Sequence, residues 1–222
     1  MFHLGRDNVY RSSVLQSIPW IDHGFGTRLE SEWPLRDRLT SVRQVHSDQV
    51  VVANGHPGLI GEGDALITNQ GGTLVSVRTA DCFPILIADL RNRAVAAVHA
   101  GWRGTVAGIA VKAVQALATQ LGSRREDLRI VIGPGIGPCC FEVGPEVAVQ
   151  FKTLFPERAD LLISAKLDLA QANLRQLVAD GISPSQIGTA GLCTCCAEEV
   201  FHSYRRDGEQ AGRMISAVGM AG

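Results

Sequence analysis

The sequence lacks the features that mark several protein classes. No apolar run approaches the roughly 18 residues of a membrane-spanning helix. The N-terminus, MFHLGRDNVYRSSVLQSIPW, lacks the uninterrupted apolar segment and the cleavage site of a signal peptide. The 21 lysine and arginine residues nearly balance the 22 aspartate and glutamate residues, and there is no basic stripe or acidic tail. We therefore expect a cytoplasmic protein that binds neither membrane nor nucleic acid, and whose six cysteines are thiols or metal ligands.

Linkers, repeats and low-complexity segments are also absent, so residues 1–222 are predicted to form a single domain. Apolar runs bounded by glycine or polar turns dominate the first half and predict strands. Helical spacing of apolar residues follows in the second half. The pattern predicts a mixed α/β fold. The predicted strands are 49–54, 64–68, 73–80, 84–89, 94–100, 128–134 and 187–196, and the predicted helices lie within 106–121, 147–154 and 170–178.

The stretch TADCFPILIADLRNRAVAAVHAGWRG places a thiol, Cys82, and an imidazole, His99, beside the ends of two neighbouring predicted strands. His46, in RQVHSDQV, precedes another strand. Two imidazoles and a thiolate suit a zinc site with an open fourth position, where bound water becomes a nucleophile. Equally, Cys82 could be a nucleophile with His99 as its base. The remaining alternative is two ordinary histidines and one buried thiol.

The segment HAGWRGTVAGIA predicts a glycine-rich turn that leads into a helix. Exposed N–H groups at the start of that helix, with Arg103 beside them, would suit phosphate or carboxylate. The same features also occur in plain turns. A second loop, IGPGIGPCCFEVG, matches neither the dinucleotide fingerprint nor the P-loop, so no nucleotide motif is assigned to it.

Three further cysteines lie in GLCTCC, namely Cys193, Cys195 and Cys196. Their C-x-C-C spacing lacks the usual two-residue gap, and no second pair at a suitable spacing is evident, so packed thiols are expected there. In SYRRDGEQAGR we expect a turn, with Arg205 or Arg206 in a buried ion pair or near a ligand.

Taken together, these segments resemble a known family. HGFGTR, RQVHSDQV, GDALIT, TADCFPILI, VHAGWRGTVAGI, IGPGIGPCCFEV, LCTCC and SYRRDGEQAGR occur in the order found in the laccase-domain proteins, also called multicopper polyphenol oxidoreductases and now largely described as purine nucleoside phosphorylases. The resemblance extends over most of the chain from about His23. It implies an α/β fold of packed layers similar to toxin deamidases that use a Cys-His pair.

The resemblance also implies a metal held by His46, Cys82 and His99, with phosphorolysis of adenosine, inosine, guanosine and methylthioadenosine and hydrolytic deamination of adenosine. Zinc is the expected metal, and copper is the alternative. Arg103, joined by Arg28, is expected to bind phosphate. The expected partners are thus a small nucleoside and phosphate.

Three other functions remain open. A metal-free Cys-His amide hydrolase could act in cell-wall precursor editing. A binding module could hold a structural zinc, for which Cys139 or Cys140 would supply a fourth ligand. A copper-dependent phenol oxidase would also need a trinuclear cluster, and the six histidines are too few to supply one easily. The segment LESEWPLRDRLTSVR, before His46, is shorter than is usual in the family, which bears on nucleoside preference.

Overall fold

Fifteen strands and six α-helices form the regular structure of residues 1–29, 31–163 and 165–221, which this computed structural model describes. The strands are β1 (Phe2–Leu4), β2 (Tyr10–Ser12), β3 (Ile21–Phe25), β4 (Leu39–Arg43), β5 (Val50–Val52), β6 (Gly58–Glu62), β7 (Ala65–Thr68), β8 (Leu74–Thr79), β9 (Phe83–Asp89), β10 (Ala94–Ala100), β11 (Leu128–Ile132), β12 (Glu142–Val143), β13 (Ala165–Lys166), β14 (Ile187–Thr189) and β15 (Met214–Met220). The helices are α1 (Ser13–Gln16), α2 (Trp102–Val106), α3 (Ile109–Leu121), α4 (Pro145–Ala148), α5 (Leu169–Ala179) and α6 (Tyr204–Asp207).

The strands form two large mixed sheets and one small antiparallel sheet, which consists of β12 and β13. The first sheet has seven strands in the order β1-β2-β3-β15-β8-β4-β6, and the second has six in the order β14-β11-β9-β10-β7-β5. One apolar core lies between the two sheets, and a second lies between the six-stranded sheet and the helices. The fold is therefore the predicted α/β class, with mixed sheets in packed layers and helices on one side.

The middle of the six-stranded sheet explains the continuous apolar runs of the sequence. Every residue of β9 and β10 is buried. Alternate side chains enter different cores, since Ile85 and Ile87 face the helices whereas Leu86 and Ala88 face the other sheet. A strand covered on both faces is apolar at nearly every position, so its sequence shows no polar alternation.

The predicted helices are confirmed in place, with one break. The apolar pattern from Val106 onwards is divided, because Gly108 adopts a left-handed backbone (φ +77°) between α2 and α3. Gly122 ends α3 in the same conformation, as expected. The predicted helix around Val147 consists only of α4 and a following 3₁₀ turn, Val149–Phe151.

Several strands were not predicted, including β3, β4 and β15 of the seven-stranded sheet. The last predicted strand is also shorter than expected, since β14 ends at Thr189 and Gly191 (φ +64°) turns the chain. Cys193, Cys195 and Cys196 therefore lie in a turn rather than a strand. Within the described residues, no helix combines the length and hydropathy needed to cross a bilayer.

Candidate functional site

The polar residues of the site lie where the central strands β7 and β9 of the six-stranded sheet begin and β10 ends. This group of residues is called the sheet-edge site. The antiparallel pairing of β9 with β10 places His99 opposite Pro84, so the end of β10 lies beside Cys82, which precedes β9. Asp64 immediately precedes β7, whose Ala65 pairs with Val98 of β10. The strand pairing thus brings together residues that are dispersed in the sequence.

The three predicted ligands meet at this edge. One ligand atom each from His46, Cys82 and His99 lies within 4.8 Å of the others. The two imidazole rings meet edge to face, with centroids 4.9 Å apart and an interplanar angle of 78°. His99 is buried, Cys82 is half-buried and His46 is exposed, so the site opens to solvent on the His46 side. This geometry suits a metal ion with an open position, and it equally suits a thiol activated by an imidazole.

Asp64 organises the site. Its Oδ1 lies 2.7 Å from Nδ1 of His99 and also accepts the backbone N–H of His46 at 3.0 Å. Its Oδ2 accepts the N–H and the hydroxyl of Ser47 at 2.6 and 2.8 Å, and the N–H of Val45 at 3.2 Å. A single buried carboxylate therefore fixes both the His99 ring and the loop that carries His46. This contact leaves Nε2 of His99 free for a metal ion or the Cys82 thiol, the arrangement that metal-binding histidines usually show.

The pKa values of Asp64, His99 and Cys82 follow from their contacts with one another. Burial raises the pKa of Cys82, but hydrogen bonds from His46 and His99 lower it to about 7. Burial lowers the pKa of His99, but hydrogen bonds to Asp64 and Cys82 raise it to about 9. Although burial acts in the opposite direction, bonds from His99 and Ser47 lower the pKa of Asp64 to about 2. A thiolate at Cys82 is thus accessible near neutral pH.

Backbone strain and a missing side chain shape the same site. His46 and Asp81 both adopt positive φ values, +58° and +93°, which are uncommon for non-glycine residues. Gly101 follows the end of β10, and a Cβ atom there would lie 3.0 Å from Sγ of Cys82 and 3.2 Å from Cδ2 of His46. A larger residue here would therefore require the Cys82 sulfur or the His46 ring to shift.

The two predicted phosphate ligands lie in different places. Arg103 belongs to α2, four residues after His99, and its guanidinium stacks on the Trp102 ring at 4.3 Å. Arg28 instead donates to the backbone carbonyl of Glu198 at 3.0 Å, so its guanidinium is held against the C-terminal cysteine segment. The role of either arginine in binding phosphate stays a prediction, and Arg103 has the position that suits it better.

The structure also forms a second cluster, which the sequence analysis did not find. Sulfur atoms of Cys139, Cys140, Cys193 and Cys196 lie within 4.8 Å of one another. The expectation that GLCTCC has no second cysteine pair is therefore wrong, because the loop after β11 supplies Cys139 and Cys140. No local motif could have shown this, since the two cysteine pairs are more than 50 residues apart in the sequence.

Asp64 was not among the residues predicted from the sequence, where GDALIT was identified only as a strand and a family motif. That segment did contain one signal. An acidic residue directly before a mostly apolar strand places a charge at a buried position. Such a charge needs partners, and here they are the His46 loop and His99.

Comparison with known proteins agrees with this geometry. Residues 26–221 match the family model described as multi-copper polyphenol oxidoreductase laccase. A purine nucleoside phosphorylase of Deinococcus radiodurans is 38% identical over 184 residues, which are 83% of this chain and 71% of that protein. Adenosine deaminase RL5, from an unknown prokaryotic organism, is 36% identical over 197 residues, 82% of this chain and 75% of that protein.

A solved structure matches the whole fold. The crystal structure of YlmD from Geobacillus stearothermophilus gives a TM-score of 0.91 at 28% sequence identity, covering 100% of this chain and 99% of that one. The family model spans every residue of the sheet-edge site, from His46 to Arg103. By sequence and by fold, this chain belongs to the multi-copper polyphenol oxidoreductase laccase family.

Proposed function

We propose that the protein is a zinc-dependent purine nucleoside phosphorylase, acting on adenosine, inosine, guanosine and methylthioadenosine, with adenosine deamination as a side activity. The observation that carries the proposal is the convergence of His46, Cys82 and His99 on one point, with Asp64 behind His99. Relatives that match most of this chain are named purine nucleoside phosphorylase and adenosine deaminase.

The residues at the sheet edge fit a catalytic zinc. Two imidazoles and one thiolate are ligands that zinc prefers, and three protein ligands leave a fourth position open. Because Asp64 occupies Nδ1 of His99, Nε2 would be the ring nitrogen available to hold the ion. When bound, zinc would supply a Lewis acid that polarises an oxygen of phosphate or water.

The chain's own residues would orient the reactants. Phosphorolysis forms a bond between C1′ of ribose and a phosphate oxygen and breaks the bond from C1′ to the purine, which leaves with a proton. Arg103, on the helix that follows His99, would hold the phosphate and stabilise its charge. Gly101 would let a substrate approach Cys82 closely, because no side chain covers the sulfur there.

Deamination would use the same pocket without phosphate. Water adds to C6 of adenine and ammonia leaves, which gives inosine. Water would take the place of phosphate as the nucleophile, and the Asp64–His99 contact would position the imidazole in both reactions.

One observation favours a second function, a metal-free Cys-His amide hydrolase. Asp64, His99 and Cys82 form the chain of carboxylate, imidazole and thiol that activates a cysteine nucleophile. A copper oxidase of phenols has less support. In the described part of the chain, neither group of potential metal ligands contains a histidine besides His46 and His99.

A nucleoside panel with and without phosphate tests the proposal. We expect free base and ribose 1-phosphate only when phosphate is present, some phosphate-independent inosine from adenosine, and loss of both after removal of the metal. A zinc-loaded preparation that releases no base from any nucleoside, yet cleaves an amide-linked cell-wall precursor through Cys82, would favour the hydrolase. Oxidation of phenols by the copper-loaded protein alone would favour the oxidase.

A further inference from the structure

The second cysteine cluster, Cys139, Cys140, Cys193 and Cys196, is separate from the sheet-edge site. Sγ of Cys196 lies 3.5 Å from that of Cys139 and 3.4 Å from that of Cys140. These distances are far longer than the 2.05 Å of a disulfide, and all four thiols are free. Four sulfurs around one tetrahedral zinc, each about 2.3 Å from the ion, would be about 3.8 Å apart. The cluster is thus already near the spacing of a tetrahedral sulfur site.

Two loops from neighbouring parallel strands hold the four sulfurs. The loop after β11 carries Cys139 and Cys140, and the loop after β14 carries Cys193 and Cys196, while β11 and β14 pair in parallel. An isolated bridge between Gly135 and Cys193 continues that pairing beyond the strands. The backbone fold, rather than the thiols alone, therefore sets the distance between the two pairs.

Hydrogen bonds from the protein support the loops. The N–H of Gly137 donates to Sγ of Cys193 at 3.2 Å, a contact that stabilises negative charge on that sulfur. Arg205 donates to the carbonyl oxygens of Cys140 and Glu142 at 3.1 and 3.0 Å. Arg206 donates to those of Thr194 and Cys195 at 3.2 and 3.1 Å. Consecutive arginines thus fix one loop each, and their positive charges would partly offset four thiolates.

We propose that Cys139, Cys140, Cys193 and Cys196 bind one zinc ion in a closed structural site. Four thiolates leave no position for water or substrate, which separates this site from the open one at His46, Cys82 and His99. Tetrahedral sulfur ligands bind zinc or iron, and four cysteine thiolates around a single ion are a usual structural zinc site.

The proposed ion would also support the sheet-edge site. Thr194, between two of its ligands, donates its hydroxyl to Oδ1 of Asp81 at 2.7 Å. The backbone N–H of Arg205 donates to Oδ2 of the same carboxylate at 2.6 Å. Asp81 adopts a left-handed backbone and immediately precedes Cys82. A fixed cysteine loop therefore holds the strained residue that directs Cys82 into the site.

Metal analysis of the full-length protein tests the proposal, and the Cys82→Ala variant is the decisive sample. That variant leaves the cysteine cluster unaltered, so it should retain one zinc per chain after dialysis. X-ray absorption at the zinc edge should then show four sulfur atoms at about 2.3 Å and no nitrogen. The result does not depend on which substrate the enzyme uses. A Cys82→Ala protein without zinc, or with nitrogen ligands, would overturn the proposal, and so would iron in place of zinc.

A matched pair of variants identifies the ligands. Cys196→Ser should contain one zinc fewer per chain than the wild type, whereas Cys195→Ser should contain the same amount, since Cys195 is outside the cluster. Equal zinc loss in both variants would contradict the ligand assignment. If Cys196→Ser does not fold, the absorption spectrum of Cys82→Ala still decides the question.

Discussion

Oδ1 of Asp64 lies 2.7 Å from Nδ1 of His99, and the side chains are 0% and 4% exposed. The same carboxylate accepts backbone N–H groups from the His46 loop. The position of the imidazole and the shape of that loop therefore depend on one buried charge. Since the amide of asparagine presents only one acceptor oxygen, Asp64→Asn cannot satisfy all of these donors.

Asp64→Asn should weaken zinc binding at the sheet-edge site by about 10–100-fold, because the residue that orients His99 is lost. Competition with a chelator of known affinity measures the change, using protein in which Cys196→Ser removes the second proposed ion. Asp48→Asn is the matched control, since Asp48 pairs with Lys112 at the surface. Unchanged zinc affinity in Asp64→Asn would show that the carboxylate does not support a ligand.

Arg103→Ala should slow phosphorolysis more than deamination, because only phosphorolysis uses the phosphate site. We expect kcat/KM for phosphorolysis to fall by about 10²-fold, as when one donor to a developing anion is removed. Initial rates with adenosine, with and without phosphate, measure both reactions in the same preparation. Arg91→Ala, at an exposed turn between β9 and β10, should change neither rate. An equal loss in both reactions would instead indicate a structural role for Arg103.

Gly101→Ala should disturb the sheet-edge site without unfolding the protein. The new Cβ atom would lie 3.0 Å from Sγ of Cys82, so the sulfur or the His46 ring must move. We expect lower zinc occupancy and lower nucleoside activity, measured by elemental analysis and by product release. Gly71→Ala is the control, because its Cβ would meet only Sδ of Met220, at 3.9 Å. Normal activity in Gly101→Ala would show that the Cys82 and His46 side chains can shift without loss of function.

The buried His23 should make stability depend on pH. Burial lowers the pKa of His23 to about 4, and its Nε2 accepts the N–H of Ser12 at 3.1 Å. Between that pKa and the usual value of about 6.5, the unfolded chain binds more protons than the folded chain, so stability falls as pH falls. From pH 7 to pH 5 this group should remove about 2 kcal/mol of unfolding free energy.

Urea unfolding of the wild type and His23→Gln at both pH values isolates this effect. Glutamine supplies an oxygen acceptor for Ser12 but does not titrate. The variant should therefore lose less unfolding free energy than the wild type between pH 7 and pH 5. Contributions from other titrating groups are the same in both proteins and cancel in this difference. Identical losses would mean that His23 is protonated in the folded protein.

The strand pattern and the family resemblance together pointed to His46, Cys82 and His99 as one group, but not to the residue that positions them. Cys82 and His99 lie beside strands whose apolar runs are unmistakable, so their proximity follows from one antiparallel pairing. Asp64 acts through hydrogen bonds to a distant loop, and spacing carries no information about such contacts. The cysteine cluster needs the parallel pairing of β11 with β14, which joins segments separated by two helices.

The same limit applies to the strands. β9 and β10 are apolar at every position except Asp89 and His99, because both faces are covered, whereas β3 and β15 mix glycine, serine, aspartate or histidine with apolar residues. Central strands of that composition become strands through their neighbours rather than through their own propensity.

The position of β15 has a consequence for how the protein matures. β15 lies in the interior of the seven-stranded sheet, paired with β3 on one side and β8 on the other. A ribosome delivers these residues after all the strands that flank them, at about 5–20 residues per second. Until then the nascent chain holds two partial sheets, each with an unpaired edge that can recruit a foreign strand. The seven-stranded sheet can therefore close only after β15 has been synthesised, and until then β3 and β8 each lack one of their neighbouring strands.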